Sequence, residues 1–510
     1  MANSRTKNTM LNTLAGFVVK FATIISAFVT RTIFIRILGI QYAGVSGVFA
    51  DILTVLSFAE MGIGSAIVYA LYKPIAENDE PQIAKLMNAY KKIYSAIAAT
   101  VLVLGLCLVP FLKYIVKDVP DIVEDIRLIY LLYLVNTASS YLLIYKSSFL
   151  TAAQKDYLVS KMRIYLAIGK AVAECVTLLV FQNFIIYLLI SIAVQITQNI
   201  AIAHTAEKEY PILKEKSNVN LDPSERKSLI ANVKALFLYK VSGTVLNGTD
   251  SLVISSFVST AAVGILGNYN MISNQVYSFV MQIFTATSAS IGNLAATSTP
   301  EHQEKVFNRM LFLCFWIYCF CATSLWVLFN PFMTIWQGEK LLFSDVMVLL
   351  LVTDFWMKGM LSPISQFRTS NGLFVQGKYR PLIMAVINIA VSIILVQKIG
   401  ITGVIIGTIV SRLSTQLWYD PYLIYKCVFK KSVVPYYVRY LLYGGITCIC
   451  CAGTWGCLKL LGITNPILNV LGGAVLCVLI PNLIVVALFY RTTEFKEVCE
   501  LIVRIIQRRV

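Results

Sequence analysis

Hydrophobic residues occur along this chain in runs of about 20 residues, separated by shorter polar stretches. As a helix, each run is long enough to cross a hydrocarbon layer about 30 Å thick. The pattern predicts about fourteen spans, the first near residues 10–35 and the last near 466–490. Because backbone groups must be hydrogen-bonded within lipid, we expect helices and predict an all-α integral membrane protein.

The polar stretches group these spans. One long polar segment, predicted at 207–229 as a cytoplasmic linker, separates two sets of six helices at 1–206 and 230–430. Two further helices follow at 431–490, and residues 491–510 form a basic cytoplasmic tail. The same order of spans in both sets predicts two six-helix lobes related by a pseudo-two-fold axis.

A weak internal repeat supports the two-lobe prediction, because it is in register with the hydropathy of both halves. The matched pairs include Lys20 with Lys240, Gly44 with Gly264 and, at an offset of 222 instead of 220, Lys146 with Arg368. A duplicated helical bundle with charges inside the membrane is typical of transporters.

Composition excludes a large soluble protein, since 58% of the 510 residues are hydrophobic and only 14% are charged. The net charge of +17 does not indicate nucleic-acid binding. Lys and Arg are concentrated at both termini and in alternate connections, which predicts that both termini lie in the cytoplasm.

No motif indicates a metal or a cofactor. The twelve cysteines lie largely within predicted helices, and there are only two histidines. The segment from Gly372 to Lys378 matches a phosphate-binding loop, but Tyr379 replaces the Ser or Thr that would hold magnesium. We therefore expect neither a metal nor a nucleotide.

Charged residues within the spans are the candidate site. A charge at the centre of a span costs about 2.5–3.5 kcal/mol, so most such groups must line a wet cavity or pair with one another. The predicted substrate-binding cations are Lys20, Arg31, Lys240, Lys358 and Arg412. The candidate groups for ion coupling are Glu60, Glu174 and Asp250.

Some of these residues are equally compatible with a purely structural role. Lys170 and Glu174, and likewise Asp354 and Lys358, have opposite charges at a spacing of four and can neutralise each other. Arg31 is also compatible with a position near the outer interface, where its side chain would extend towards water.

Three N-terminal segments carry a family resemblance. They are Ile37-Leu-Gly-Ile-Gln-Tyr-Ala-Gly44, Leu56-Ser-Phe-Ala-Glu-Met-Gly-Ile-Gly64 and Leu71-Tyr-Lys-Pro-Ile-Ala-Glu-Asn-Asp79. The chain resembles the bacterial polysaccharide-repeat-unit flippases for O-antigen and capsule. These form the polysaccharide transport branch of the multidrug/oligosaccharidyl-lipid/polysaccharide exporter superfamily, called the MOP superfamily below.

The resemblance implies a non-enzymatic transporter in the bacterial cytoplasmic membrane. Its substrate would be an undecaprenyl-pyrophosphate-linked oligosaccharide, moved from the cytoplasmic to the outer leaflet. Helices at about 436–490 would form a groove for the polyprenyl tail, and Lys20, Arg31 and Lys240 would contact the pyrophosphate. Glycosyltransferases and a polymerase of a polysaccharide pathway would be partners, besides membrane lipids. A less arginine-rich set of charges argues against a peptidoglycan precursor.

Two other functions stay open on the sequence. A multidrug or cation antiporter of the same superfamily would share the skeleton but would not need the last two helices. A membrane glycosyltransferase or polymerase would act on the same lipid-linked sugars. Such enzymes generally have a large outward loop or a cytoplasmic catalytic domain, and the polar stretches of this sequence do not predict one.

Overall fold

The computed structural model describes residues 23–57, 63–116, 122–153, 155–214, 249–286, 298–371, 379–463 and 465–507, with single positions at 223, 291, 294, 373 and 377. Every regular element within these ranges is a helix, so the predicted all-α class is confirmed. Three predicted site residues, Lys20, Glu60 and Lys240, lie outside the described residues, as does most of the predicted linker.

Within the described residues, the N-terminal part contains nine helices of nine residues or more. They are α1 (23–38), α2 (Ile40–Leu56), α3 (Ile63–Glu77), α4 (Glu80–Leu108), α5 (Ile126–Ser140), α6 (Ile144–Ala152), α7 (Asp156–Phe181), α8 (Phe184–Glu209) and α9 (249–257).

The C-terminal part contains ten helices of nine residues or more within the described residues. Its helices are α10 (Thr260–Ala286), α11 (Pro300–Gln337), α12 (Asp345–Met360), α13 (Ser362–Ser370), α14 (Arg380–Ile399), α15 (Ile401–Ser414), α16 (Gln416–Ile424), α17 (Val434–Leu460), α18 (Pro466–Phe489) and α19 (Thr493–Gln507).

Several long helices begin at residues whose side chains accept hydrogen bonds from the first turn. Asp79 caps α4, Asn183 caps α8 and Asn465 caps α18, each by accepting from a backbone N–H two or three residues later. A short polar side chain satisfies a backbone donor that the helix cannot satisfy itself. These caps allow an apolar helix to start abruptly after a connection of only a few residues.

Eight segments of the described chain are long and apolar enough to cross a membrane. They are Glu80–Ile115, Ile126–Ala152, Phe184–Glu209, Pro300–Gln337, Asp345–Ser370, Arg380–Ile399, Val434–Leu460 and Pro466–Phe489. The protein is therefore a multi-pass membrane protein. The count of about fourteen spans stays a prediction.

The chain divides into two compact units, Met1–Gly264 and Ile265–Val510. The predicted lobe boundary at 206–230 falls mostly outside the described residues. Helix α9 and the first turn of α10 belong to the first unit. The assignment of domains therefore stays a prediction.

Within the first unit, α2 crosses the first turn of α10 at two glycines that the repeat matches to each other. A Cβ atom on Gly44 would lie 1.9 Å from the carbonyl oxygen of Thr260, and one on Gly264 would lie 2.6 Å from that of Ile40. The offset of 220 that maps Gly44 onto Gly264 also maps Ile40 onto Thr260. Gly44 thus contacts Thr260, and its repeat counterpart Gly264 contacts Ile40, which is the repeat counterpart of Thr260. Such reciprocity is what a local two-fold relation requires.

Helices α17 and α18 pack on α11 in the second unit. Val327 of α11, Leu458 of α17 and Cys477 of α18 share one small core. The indole N–H of Trp316 in α11 also donates to Asn482 Oδ1 in α18, at 2.8 Å. The two C-terminal helices are thus joined to the preceding helices by both apolar and polar contacts.

The predicted basic tail contains helix α19, which is docked on α11. Phe495 stacks on Trp316 with ring centroids 5.4 Å apart. Glu497 pairs with Lys305, with Nζ and Oε1 2.8 Å apart. One face of α19 is therefore tied to the second unit.

Candidate functional site

Arg31 of α1 lies among protein groups in the first unit. Its Nη2 donates a hydrogen bond to the carbonyl oxygen of Gly264 at 3.3 Å. Tyr133 of α5 and Tyr187 of α8 are close enough to interact with it electrostatically. The half-buried guanidinium is thus surrounded by polar groups from several helices.

Glu174 of α7 lies in the same surroundings. Its side chain is buried, and Lys170 one turn earlier has its Nζ 3.6 Å from Oε1. Ser191 and Tyr187 also lie near this carboxyl group and interact with it. Tyr187 therefore interacts with both Arg31 and Glu174. We call Arg31, Tyr133, Lys170, Glu174 and Tyr187 the first-unit cluster.

Asp250 of α9 lies at a separate polar contact of the first unit. The hydroxyl of the next residue, Ser251, lies near the carboxyl group of Asp51 in α2 and interacts with it. One carboxylate oxygen of Asp250 is fully buried. Two acidic side chains thus occur beside the α2–α9 contact.

A matching set of charges lies in the second unit. Asp354 of α12 accepts from Arg412 of α15, with Nε 3.0 Å and Nη2 2.9 Å from its Oδ1. Lys358, one turn after Asp354, has its Nζ 4.2 Å from the ring centroid of Tyr277 in α10. We call Tyr277, Asp354, Lys358 and Arg412 the second-unit cluster.

The structure thus brings predicted residues together within each unit. Arg31 and Glu174 share Tyr187 as a neighbour in the first, and Lys358 and Arg412 belong to one cluster in the second. Both clusters contain two cations and one acid, so with all groups ionised each has one positive charge in excess. From the spacing of four, Asp354 is able to pair with Lys358. Its carboxylate bonds instead to Arg412, 58 residues later in the sequence.

Two ion-pair networks involve residues that sequence reasoning did not select. Lys146 of α6 bonds to Glu207 in the last turn of α8. Asp420 of α16 pairs with Arg368 of α13 at 3.0 Å and with Arg380 of α14 at 2.8 Å. The repeat matches Lys146 with Arg368, and this signal could have indicated that both cations pair with an acid.

The comparisons with known proteins concern structure. No protein-family model matches the sequence, and no curated protein matches it. The lipid II flippase MurJ in an inward closed conformation is similar, with a TM-score of 0.69 and 14% identity over 95% of this chain and 99% of that one.

Multidrug transporters have similar structures too. An inward-facing multidrug resistance MATE transporter of the MOP superfamily has a TM-score of 0.57 and 13% identity, over 81% of this chain and 99% of that one. The MATE transporter VcmN of Vibrio cholerae has a TM-score of 0.54 and 14% identity, over 84% of this chain and 100% of that one.

The fold is therefore that of a multi-pass membrane transporter. More particularly, it is the fold shared by MurJ and the MATE transporters, and one of these MATE transporters is named as a member of the MOP superfamily. The predicted transporter fold is confirmed.

Proposed function

We propose that this protein is a lipid-linked oligosaccharide flippase of the MOP superfamily. It moves an undecaprenyl-pyrophosphate-linked repeat unit from the cytoplasmic to the outer leaflet for export of a cell-surface polysaccharide. Transport proceeds by alternating access and uses no catalytic residue, metal or cofactor.

The observation that carries this proposal is the extent of the structural matches. The match to MurJ covers 95% of this chain, whereas the two MATE matches cover 81% and 84% although they take in nearly all of those proteins. This chain thus extends beyond the MATE fold. The part of this chain that the MurJ match covers and the MATE matches leave out has about the combined length of α17 and α18, which are 27 and 24 residues long. The family resemblance assigns this pair to the polyprenyl tail.

The charge of the two clusters also supports an anionic substrate. A lipid-linked sugar must keep its hydroxyl and phosphate groups away from hydrocarbon, which requires a polar path through the membrane. The excess positive charge of each cluster suits a diphosphate. Lys20 and Lys240, predicted from the repeat, add to this set. In this proposal Glu60, Glu174 and Asp250 serve ion coupling.

Transport of such a substrate does not require ATP. Moving about two negative charges out of a negative cytoplasm gains roughly 2.3 kcal/mol per charge per 100 mV of membrane potential. A membrane potential alone therefore supplies a driving force. This argument holds for a bacterial cytoplasmic membrane with both termini of the protein inside.

The proposal is tested by deleting the gene and extracting the lipids from each leaflet. Undecaprenyl-linked oligosaccharide is expected to accumulate on the inner leaflet and to return to normal when the wild-type chain is restored. An unchanged distribution between the leaflets would contradict the proposal. The polymerase and glycosyltransferases proposed as partners should be encoded nearby.

The alternative with a specific observation in its favour is a multidrug antiporter, because the MATE structures share the fold. It predicts that cells lacking the protein retain a cationic dye that wild-type cells expel. The flippase proposal predicts equal dye retention in both strains. A glycosyltransferase is less favoured, since the structural neighbours are transporters.

A further inference from the structure

The second unit contains an apolar cavity of about 420 Å³ that neither charged cluster explains. It lies between α11, α12, α15 and α17, and its lining includes Trp326, Trp356, Tyr440, Ala452 and Trp455. Among the described residues that line it, none belongs to α18. The volume lies within the range of about 300–1,000 Å³ that is usual for small-molecule sites.

The cavity is elongated along α17 and faces outwards. From Tyr440 to Trp455 it follows the helix for about 22 Å, at a rise of about 1.5 Å per residue. Leu349 and Leu413, which also line it, are almost half exposed. Exposed leucines in a membrane-spanning region lie against acyl chains. The shape is therefore that of a groove that can receive one hydrocarbon chain from the side.

Two hydrogen-bond donors in the lining have no hydrogen-bond partner in the described part of the chain. They are the indole N–H of Trp356 and the hydroxyl of Tyr440. Both side chains are more than nine-tenths buried, and their ring centroids are 5.0 Å apart. A buried donor without an acceptor costs about 1–3 kcal/mol. A ligand that places an acceptor oxygen here would remove that cost, whereas a pure hydrocarbon would not.

The depth of these donors indicates which oxygen that is. Tyr440 lies six residues after Val434, the first residue of α17, and thus about 9 Å along the helix. In the proposed orientation α17 starts at the cytoplasmic side. The headgroup layer occupies roughly 5–8 Å on each side of the hydrocarbon core. Tyr440 and Trp356 are then level with the ester carbonyls of inner-leaflet phospholipids, while a polyprenyl phosphate has no oxygen below its phosphate.

We propose that this cavity binds one ester-linked acyl chain of a cytoplasmic-leaflet phospholipid, whose carbonyl oxygen accepts hydrogen bonds from Trp356 and Tyr440. The bound chain fills the groove between α17 and the helices behind it. This inference rests on the proposed orientation and not on the identity of the transported substrate.

Native mass spectrometry of the delipidated full chain, titrated with diacyl phosphatidylglycerol, tests the proposal. The first phospholipid molecule to bind should bind more tightly than the further molecules that associate with the protein. Its dialkyl ether analogue, which lacks the carbonyls, should bind about 5-fold more weakly. That preference should disappear in Trp356→Phe/Tyr440→Phe. Equal affinity for ester and ether lipids in the wild-type chain would overturn the proposal.

Matched variants separate the cavity from the rest of the surface. Ala452→Phe, or Gly444→Leu if the first does not fold, fills the groove and should lower affinity at least 10-fold. The control is Gly445→Leu, because a Cβ on Gly445 meets nothing within 4 Å, whereas one on Gly444 meets Trp356 at 3.3 Å. Unchanged binding in the filled variant would refute the site. Displacement by equimolar undecaprenyl phosphate would assign the cavity to the carrier lipid and also refute it. No transport is measured, so failure of the proposed flippase function is a separate result.

Discussion

At positions that the sequence repeat matches, Lys146 in the first unit and Arg368 in the second each pair with an acid from a distant helix. Lys146 meets Glu207 at the end of α8, while Arg368 and Arg380 share Asp420 of α16. The Glu207 side chain is 25% exposed and that of Asp420 only 2%. Equivalent places in the repeat thus have a partly hydrated single pair and a dry three-membered network.

The chemistry of the cations explains the difference. A guanidinium has several donors in a fixed plane, and Arg368 uses Nη1 for Asp420 and Nε for the carbonyl oxygen of Leu373, at 3.0 Å each. An ammonium is a compact charge that stays more strongly hydrated. The two cations are equally buried, with side chains 9% and 10% exposed. Arginine can bond two segments at once, whereas Lys146 bonds to a single acid whose side chain water still reaches.

The largest expected effect is for Asp420→Asn. The change removes the carboxylate that two buried guanidiniums share, which should cost about 3–5 kcal/mol of unfolding free energy. Unfolding of the purified protein in detergent with increasing SDS measures this loss. Glu77→Gln is the control, because its pair with Lys73 is mostly exposed and should contribute little. A loss for Asp420→Asn no larger than the control would contradict the comparison.

Exchanging the cations gives a smaller, asymmetric effect. In Arg368→Lys, the ammonium cannot reproduce the simultaneous hydrogen bonds to Asp420 and to the carbonyl oxygen of Leu373. The change should destabilise the protein by about 1–3 kcal/mol. Lys146→Arg keeps a donor for Glu207 and should change stability by less than roughly 1 kcal/mol. The same unfolding assay compares the two variants, and equal losses would show that the two sites do not differ as described.

Glu207→Gln tests the first-unit pair directly. We expect a loss of about 1 kcal/mol, because the Glu207 side chain is 25% exposed and a single ammonium, not two guanidiniums, loses its carboxylate. The ratio of this loss to that of Asp420→Asn sharpens the comparison. Similar losses for both acid-to-amide changes would mean that exposure does not control the strength of these networks.

The smallest effect is predicted for the neighbouring pair of Lys155 and Glu209, 2.6 Å apart. Both side chains are about one-third exposed, so Glu209→Gln should cost roughly 0.5 kcal/mol or less. The hydrogen bond to Glu209 raises the pKa of Lys155 above its ordinary value of 10.5. The contribution of the pair is thus complete below about pH 10.5 and lost as pH rises through the raised pKa. A stability difference that persists above that range would contradict this assignment.

Features that depend on the membrane could be predicted from the sequence. The length of apolar runs is dictated by lipid thickness, so the all-α class followed directly. Gly403 and Gly407 have a spacing of four, which is typical of close helix packing, and α14 and α15 do pack closely at these two positions. A Cβ on Gly403 would lie 2.5 Å from the carbonyl carbon of Leu395, and one on Gly407 would lie 2.3 Å from Ser392 Oγ.

Partners across long sequence separations could not be predicted. Asp354 has a cation four residues away, yet packing of α12 against α15 gives it to Arg412. Glu207 was placed at the start of a polar linker, whereas α8 continues to Glu209 and delivers it to Lys146. Periodicity describes which residues share a helix face, but only tertiary packing decides which faces meet. Cations could therefore be selected as candidates without their partners.

The central claim is that membrane-embedded cations carry a diphosphate-linked glycolipid, and a flipping assay tests it most directly. Purified protein is reconstituted in vesicles with undecaprenyl-pyrophosphate-linked oligosaccharide, and the sugar that becomes accessible across the bilayer is measured over time. Lys20→Glu combined with Lys240→Glu should lower the rate at least about 10-fold, equivalent to roughly 1.4 kcal/mol of lost stabilisation. Lys73→Glu combined with Lys92→Glu, at exposed positions, should leave the rate unchanged. A wild-type rate in the Lys20/Lys240 variant would contradict the account.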